Sequence, residues 1–455
     1  MKTIAAISTA PAVGGIGVIR ISGDRATAIA QKVFQALSTK KTLEQMHGYT
    51  AAYGFVHAAT GEKLDECVAL VFKAPHSYTG EDVVELSCHG GLFLLKKVLE
   101  QVYAAGAEPA EAGEFTKRAF LNKKIDLTRA EAVASIISAQ SDASAAAALS
   151  AKEGVLFREI EAINASLIGL SAHLAAWTDY PEDDLEIPQE SELKEKLVQA
   201  KARCEQLLAT FDVTKIVTEG VDTVILGRTN VGKSSIMNLI CGEQKSIVTD
   251  IEGTTRDVVE TSVRFGNSVL KLSDTAGIRK SEDTIENIGI ALSKKKAESA
   301  GLILAVFDSS KPLGEEDFAL LETIKNKRAI LIYNKSDLSA VWQPDILQEY
   351  GKEVIIFSAK HADGYHNLEK AVEQALGTAD FNPYAPLLAT ERQKVCLSRA
   401  LSCVDEALEA LESGFTLDAV NVSIDSAVNA LLELTGERAT EAITQEIFKN
   451  FCVGK

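Results

Sequence analysis

The sequence lacks closely spaced cysteine pairs and long apolar runs, and each absence excludes a class of protein. Its 455 residues include seven cysteines, an odd number with no Cys-x-x-Cys pair, so neither a zinc cage nor a disulfide framework is indicated. No apolar run reaches the length of a transmembrane helix. Ser8, Thr9 and Pro11 interrupt the apolar start of the chain, so we expect no secretory signal. We therefore expect a cytoplasmic protein with reduced thiols and no membrane contact.

Positive charge is also in deficit. The chain has 47 Lys and Arg against 64 Asp and Glu, a formal net charge of −17. Such a molecule is repelled at long range by phosphate backbones, so we do not expect it to coat DNA or RNA independently of sequence. Any contact with nucleic acid must use a local patch or be supplied by a partner.

The chain length predicts two to four domains, and the sequence texture changes three times along it. The first part mixes short strands with helices, the next is rich in Ala, Leu and Glu at helical spacing, and then apolar strands alternate with helices. Helical texture returns near the end. We predict a multidomain α/β and α protein in which a P-loop α/β domain is inserted into a helical domain. The predicted domains are an N-terminal α+β domain (1–119), a discontinuous helical domain (120–215 and 379–455) and the inserted domain (216–378).

Residues 227–234, GRTNVGKS, fit the G-x-x-x-x-G-K-[ST] phosphate loop. The segment follows a predicted strand and opens a predicted helix, which is the context that this motif requires. Glycines let backbone N–H groups wrap the phosphates, and the helix N-terminus adds positive potential. Lys233 is expected to reach the outer phosphates and to act in catalysis, and Ser234 to ligate Mg²⁺.

Four further elements follow in the order typical of translation-factor-like GTPases. Residues 253–257 form a switch loop in which Thr255 reaches Mg²⁺, and residues 274–277 place a carboxylate near the metal. Residues 334–337 select the base, because Asp337 can accept from guanine N1–H and N2–H₂ together. Residues 358–360 offer a backbone N–H to guanine O6. The predicted GTP-binding residues are Asn230, Val231, Gly232, Lys233, Ser234, Ser235, Thr249, Asp250, Ile251, Glu252, Gly253, Thr254, Thr255, Asp274, Thr275, Ala276, Gly277, Asn334, Lys335, Asp337, Ser358, Ala359 and Lys360.

The glutamine that orients the attacking water in Ras-like proteins is missing. Ile278 stands in its place, and an apolar side chain cannot orient water, so another polar group must. Glu286 is the candidate; a solvated carboxylate at a helix end is the alternative. A monovalent cation can supply the missing positive charge between the phosphates. Oxygen ligands of the right type for K⁺ come from Asn230, Thr249, Ile251 and Thr254.

The whole chain resembles the MnmE (TrmE) family of tRNA-modifying GTPases. The resemblance is carried by residues 14–23 (GGIGVIRISG), 77–85 (SYTGEDVVE), 113–122 (GEFTKRAFLN) and the terminal FCVGK, together with HGG at 89–91 and KIDL at 124–127. These segments are far more specific than the GTPase motifs, which many families share.

The resemblance implies that the N-terminal domain is aminomethyltransferase-like, dimerises, and binds 5-formyltetrahydrofolate or a related folate. The positions that match the family's folate site are Arg20, Glu85, Lys124 and Lys455. Arg and Lys suit the glutamate carboxylates of a folate, and Glu85 suits pterin N–H groups. Cys452 matches the family's terminal cysteine and is either a nucleophile or a small buried residue on the last helical turn.

The resemblance also implies a partner and a reaction. The family works as a homodimer with the flavoprotein MnmG (GidA), in a heterotetramer or larger complex that holds the tRNA. Together they add a carboxymethylaminomethyl or aminomethyl group to C5 of the wobble uridine of certain tRNAs, with a folate carbon. The GTPase is potassium-stimulated and its G domains pair face to face. Asn230, Thr249, Ile251 and Thr254 match the family's K⁺ ligands, and Glu286 matches its catalytic glutamate.

Two rival functions share some of these features. Ribosome-assembly GTPases of the Era/EngA type have the same nucleotide motifs, but they usually add a basic RNA-binding domain or a second G domain. The single phosphate loop and the charge of −17 argue against that class. Dynamin-like machines also pair G domains, but they need a membrane-binding stretch that this sequence lacks.

Overall fold

The computed structural model describes residues 2–37, 39–179, 189–243, 260–273, 297–449 and 451–455. The chain divides into two compact units. The first comprises Met1–Ala134, Ile160–Glu190 and Ser402–Lys455, and the second comprises Ser135–Glu159 and Ser191–Leu401. The three-domain division at residues 119, 215 and 378 stays a prediction. None of the helices in the described ranges is both long and apolar enough to cross a membrane.

The first unit contains a seven-stranded sheet with the order β3-β4-β5-β6-β2-β1-β7. Its strands are β1 Ile4–Ile7, β2 Ile16–Ser22, β3 Phe34–Ala36, β4 Thr50–His57, β5 Lys63–Phe72, β6 Val83–His89 and β7 Glu108–Pro109. All neighbours are antiparallel except β1 and β7. Its helices begin with α1 Ala26–Val33, α2 Leu92–Ala104 and α3 Glu114–Leu121, and a 3₁₀ turn spans Leu43–Gln45.

Alternation along the strands decides which face of this sheet is the core. Ile19 and Ile21 on β2 are fully buried and pack in one cluster with residues of α1 and α2. Arg20 lies between them and therefore points to the opposite face. The register places Arg20 directly across from Glu85 on β6. The apolar alternation thus brings two polar residues, 65 positions apart, to the same point of the sheet.

Helices follow the N-terminal sheet and continue across the boundaries of the two units. They are α4 Leu127–Ser138, α5 Asp142–Lys152, α6 Val155–Asp179, α7 Glu190–Ala209 and α8 Phe211–Glu219. Three more follow the second sheet, which are α13 Glu391–Glu412, α14 Leu417–Thr435 and α15 Glu441–Lys449. This confirms the predicted helical texture on both sides of the α/β segment.

The second unit contains a six-stranded sheet with the order β13-β12-β11-β8-β10-β9. Its elements are β8 Val221–Leu226, α9 Lys233–Glu243, β9 Glu260–Phe265, β10 Ser268–Ser273, β11 Leu302–Asp308, α10 Glu315–Ile324, β12 Ala329–Asn334, α11 Asp345–Gln348, β13 Glu353–Ile356 and α12 Tyr365–Leu376. Only the β9–β10 hairpin is antiparallel.

The central strands of this sheet are buried on both faces. Every residue of β11 and β12 is buried, as their continuous apolar runs predict for a parallel sheet. Successive residues of β11 alternate between two hydrophobic clusters, one on each face. The carboxyl ends of β8, β11 and β12 meet at one edge of the sheet, where α/β folds bind ligands.

Candidate functional site

The phosphate loop connects β8 to α9 and contains two glycines whose backbone and close neighbours disfavour any side chain. Gly227 has φ +146° and Gly232 has φ +104°, both in the region that favours glycine. A Cβ on Gly227 would collide with the carbonyl oxygen of Val306, and one on Gly232 with the side-chain amide of Asn334. The loop therefore lies tightly against β11 and β12, and its helix begins at Lys233 as the motif predicts. This geometry fits a bound triphosphate, because it leaves the helix N-terminus for the phosphates.

Lys233 is folded back over the loop that precedes it. Its ammonium donates to the carbonyl oxygens of Gly227, at 2.8 Å, and Arg228, at 2.6 Å. Burial lowers the pKa of Lys233 below its ordinary value, and the nearby Glu316 partly opposes that shift. Ser234 and Ser235 are exposed in the first turn of α9, where the Ser234 hydroxyl is a hard oxygen of the kind that Mg²⁺ prefers.

The first half of the guanine loop holds the phosphate loop in place. The Asn334 side chain donates to the Val231 carbonyl at 2.7 Å, and the Lys335 ammonium donates to the Asn230 carbonyl at 2.8 Å. Asn230 and Lys335 both adopt left-handed backbone, with φ +61° and +65°. All four residues in these two contacts are predicted GTP-binding residues, and side chain-to-backbone hydrogen bonds join them as parts of one site.

The base-selecting residue Asp337 is exposed at the same edge of the sheet. The Ser358 hydroxyl donates to its carboxylate at 2.8 Å, and this hydrogen bond is the main reason that the pKa of Asp337 is lowered. The N–H of Ala359 donates to the side-chain oxygen of Asn334 at 3.2 Å. The loop of residues 358–360 therefore meets the loop of residues 334–337 where the sequence predicts a guanine pocket.

Two acidic residues near this site went unnoticed in the sequence. Asp317, in the first turn of α10, pairs with Arg228 of the phosphate loop at 3.2 Å. Asp308 pairs with Lys335 at 2.6 Å. The position of Asp308 at the end of an apolar strand was the signal that could have identified it, since the other strand ends of this sheet carry motif residues.

Some predicted site residues lie outside the described residues. They are the catalytic candidate Glu286, the K⁺ and Mg²⁺ candidates of the first switch, and the second-switch motif, namely Thr249, Asp250, Ile251, Glu252, Gly253, Thr254, Thr255, Asp274, Thr275, Ala276, Gly277 and Glu286.

A second polar cluster lies in the N-terminal unit, around Arg20. Its guanidinium pairs with Glu85 at 2.8 Å and donates to the Gly454 carbonyl at 3.2 Å. The rings of Tyr78 and Phe115 flank it, with centroids 5.2 and 5.5 Å from the guanidinium carbon. Such contacts hold the guanidinium in a defined orientation beside two aromatic surfaces.

The other predicted folate residues, Lys124 and Lys455, each contact a backbone group of the same unit. Lys124 donates to the Pro75 carbonyl at 2.9 Å. The carbonyl of Lys455 accepts from the Phe115 N–H at 3.1 Å, so the C-terminal residues pack beside the aromatic ring that flanks Arg20. A cavity of about 450 Å³ lies near Lys124 and is lined by Asp24, Ala74, Gly80, Glu81, Asp82 and Asn122.

Cys452 is neither buried nor helical. It is exposed and follows the end of α15, next to Val453, which pairs with Ala112 in an isolated β-bridge. The interpretation of Cys452 as a small buried residue on the last helical turn is therefore wrong. Residues 452–455 leave the helix to pair with the segment before α3, which places the thiol at the surface.

Comparison with known proteins covers both the N-terminal part of the chain and the part that contains the phosphate loop. The family model described as the MnmE helical domain matches residues 127–452, and that of the GTP-binding protein TrmE N-terminus matches residues 3–124. The tRNA modification GTPase MnmE of Clostridioides difficile (strain 630) is 41% identical over 100% of this chain and 99% of its own length. That of Alkaliphilus oremlandii (strain OhILAs) is 40% identical, again over 100% of this chain and 99% of its own length.

The chain belongs to the MnmE family of tRNA modification GTPases. As a member of the MnmE family with a fully formed phosphate loop, it is a GTPase. The predicted family and the predicted GTPase activity are both confirmed. Among solved structures, the G domain of the T. maritima FeoB iron transporter matches 34% of this chain and 98% of its own, at 23% identity and a TM-score of 0.26. That score is too low to add to the fold, which rests on the strand order described above.

Proposed function

We propose that this protein is a potassium-stimulated GTPase that acts with the flavoprotein MnmG (GidA) on tRNA. Together they add a carboxymethylaminomethyl or aminomethyl group to C5 of the wobble uridine of certain tRNAs, with a one-carbon unit from a folate. The observation that carries the proposal is full-length membership in the MnmE family, joined to two separate polar clusters in the described residues. The acidic charge of −17 supports a division of labour in which the complex, rather than this chain alone, holds the tRNA in the cytoplasm.

The nucleotide cluster supplies the GTPase. Lys233 stabilises charge on the outer phosphates, and Ser234 and Thr255 would hold Mg²⁺, which supplies Lewis-acid stabilisation of that charge. Asp337 selects guanine through its carboxylate. Its lowered pKa keeps the carboxylate ionised at neutral pH, as acceptance of two guanine N–H bonds requires.

The missing glutamine makes two further roles necessary. Glu286 orients the attacking water in place of the apolar Ile278. Asn230, Thr249, Ile251 and Thr254 would hold a potassium ion, which would supply positive charge to the phosphates as an arginine does in other GTPases. The support for both roles is the match of these residues to the MnmE pattern.

The cluster around Arg20 is the proposed folate site. A guanidinium fixed beside two aromatic rings fits a ligand that has carboxylates and a flat heterocycle. Glu85 and Arg20 are paired with each other, so a folate would have to replace that pair with contacts of its own. Lys124 and Lys455 complete the proposed set, and a homodimer formed through the N-terminal domain is part of the same proposal.

The potassium and glutamate roles are tested by GTP turnover of the purified full-length protein. Turnover in KCl is expected to exceed turnover in NaCl many-fold, and equal rates would refute the cation site. The Glu286→Ala variant is expected to bind GTP normally and to hydrolyse it more than about a hundredfold more slowly. Unchanged turnover in that variant would refute the assignment of Glu286.

The role in tRNA modification is tested by nucleoside analysis of wobble uridines in a strain that lacks this chain. The modified uridine is expected to disappear and to return when the chain is restored. Wobble uridines that keep their modification in the deletion strain would contradict the proposal. Ribosome co-sedimentation in place of co-purification with a flavoprotein would favour the Era/EngA alternative.

A further inference from the structure

Asp308 is a buried carboxylate beside the guanine loop that belongs to none of the predicted motifs. Its side chain is 5% exposed, and its strand position is paired with that of Asn334. Both carboxylate oxygens are engaged. One accepts from the Lys335 ammonium at 2.6 Å, and the other accepts from the backbone N–H and the hydroxyl of Ser310 at 3.0 and 2.6 Å. Since a buried charge is costly without a partner, this arrangement depends on Lys335.

Lys335 connects Asp308 to the phosphate loop. The same ammonium that binds the carboxylate donates to the Asn230 carbonyl at 2.8 Å. Asn230 and Lys335 both have left-handed backbone, which costs a residue with a side chain some strain, more for lysine than for asparagine. Strained backbone persists only where its surroundings hold it, and it is concentrated at functional sites. One hydrogen bond here joins two strained residues, and Asp308 fixes its donor.

The segment that contains Asp308 is itself well anchored. The Trp342 indole donates to the Asp308 carbonyl at 3.0 Å, and the Tyr333 hydroxyl donates to the Trp342 carbonyl at 2.6 Å. The Ser309 hydroxyl donates to the Lys335 carbonyl at 3.1 Å. These hydrogen bonds hold the backbone at Asp308 in place. Its carboxylate is therefore a fixed partner for the long side chain of Lys335.

The charge state of Asp308 suits this role. Burial raises its pKa, but hydrogen bonds from Lys335 and Ser310 together outweigh burial, so the pKa lies below its ordinary value. The carboxylate is therefore ionised at neutral pH and attracts the ammonium as a full charge.

We propose that Asp308 is a positioning residue of the nucleotide site, which acts through the Lys335 ammonium to hold Asn230 and the phosphate loop in the conformation that receives the nucleotide. This inference rests on the proposed nucleotide role of the phosphate loop. It also explains why a charged side chain lies at the end of a strand that is otherwise wholly apolar.

The test compares Asp308→Asn with the unaltered full-length protein, with a fluorescent GDP analogue as the probe. Asparagine has the same size and still accepts from Ser310, but it attracts the ammonium far less. The dissociation constant is expected to rise about tenfold. The matched control Asp345→Asn removes an exposed carboxylate of α11 from the same unit and is expected to leave affinity unchanged. Unchanged affinity in Asp308→Asn would overturn the proposal.

A double-mutant cycle with Lys335→Gln separates positioning from a purely structural role. If Asp308 acts through Lys335, adding Asp308→Asn to Lys335→Gln causes no further loss of affinity. It also raises the melting temperature of Lys335→Gln, because the unpaired buried charge is removed. An equal tenfold loss in both backgrounds would overturn the proposal. If the unaltered protein itself failed to bind the GDP analogue, the nucleotide site would be refuted instead, so the two failures are distinguishable.

Discussion

The nucleotide cluster and the Arg20 cluster are assembled in opposite ways. In the nucleotide cluster, most contacting residues belong to two short motifs, and each motif directly follows a strand of the same parallel sheet. In the Arg20 cluster, the partners of the guanidinium are 65 and 434 residues away along the chain. Each half of the first site is therefore encoded by a short contiguous motif, although the two motifs meet across 103 positions of the chain. The second site has no such motif and is formed entirely by single residues from distant segments.

The physical reason lies in the groups that do the binding. A phosphate loop uses backbone N–H groups, whose placement requires glycine at set positions and therefore leaves a spacing in the sequence. A guanidinium and a carboxylate reach each other from any two strands that the register brings together. Substitutions in either cluster test this difference between them.

The largest effect is expected from Lys233→Ala. It removes the ammonium proposed to stabilise the outer phosphates, so GTP turnover is expected to fall by about a hundredfold or more. Steady-state phosphate release measures it. The control Lys325→Ala removes an exposed lysine of the same unit and is expected to leave turnover intact. Near-normal turnover in Lys233→Ala would refute the catalytic role proposed for Lys233.

Arg20→Ala is expected to act on the other cluster alone. Loss of the charge that would pair with a folate carboxylate raises the dissociation constant for 5-formyltetrahydrofolate by about thirtyfold. Calorimetric titration measures it, with GTP affinity recorded on the same sample. The control Lys2→Ala breaks an exposed ion pair of the same unit and should change neither affinity. A loss of GTP affinity in Arg20→Ala would contradict the independence of the two clusters.

Gly454→Ala tests whether the distant segment is needed. Gly454 has φ +96°, and a Cβ there would collide with the Ile7 carbonyl, so the variant is expected to destabilise the docked tail by about 1–3 kcal/mol. Hydrogen exchange at the Phe115 amide, which donates to Lys455, reports the loss. Gly414→Ala is the control, because its φ is +71° but its Cβ meets open space. Equal protection of Phe115 in all three proteins would show that the tail does not depend on this glycine.

The smallest effect concerns His89, at the end of β6. Its ring pairs with Asp65 at 2.6 Å, and that hydrogen bond raises the pKa of His89 above its ordinary value. The pair therefore adds stability that is full below about pH 6.5, the unfolded value, and is lost as the pH rises through the raised folded pKa. NMR titration of the ring measures the shift. Asp65→Asn should return it toward the ordinary value, and an unchanged titration in that variant would assign the shift to another cause.

The fold was largely predictable because its strongest signals are local. Continuous apolar runs identify β8, β11 and β12, and their burial on both faces follows from helices that cover a parallel sheet. Strand ends do not follow from apolar character in the same way: the apolar run of β13 continues to Phe357, but the strand ends at Ile356. Backbone pairing rather than apolar character decides where a strand stops.

Contacts between distant side chains account for what could not be predicted. Nothing in the sequence near Asp308 indicates that Lys335 will reach it, because the contact forms only when β11 and β12 pair in one register. The exposure of Cys452 likewise depends on the tail leaving α15 to pair with Ala112. The proposed folate residues were predicted through family resemblance alone, since the pairing of Arg20 with Glu85 leaves no spacing to detect.

The docked tail has a consequence for how the protein is made. The Ser8 hydroxyl donates to the Gly454 carbonyl at 3.0 Å, across 446 positions of the chain. On a ribosome, the N-terminal sheet emerges long before residues 452–455 exist, so this part of its surface waits uncovered while the GTPase segment is synthesised and folds. Translation at about 5–20 residues per second makes that wait some tens of seconds. The unit that contains the N-terminal sheet is therefore completed only when residues 452–455 have been synthesised.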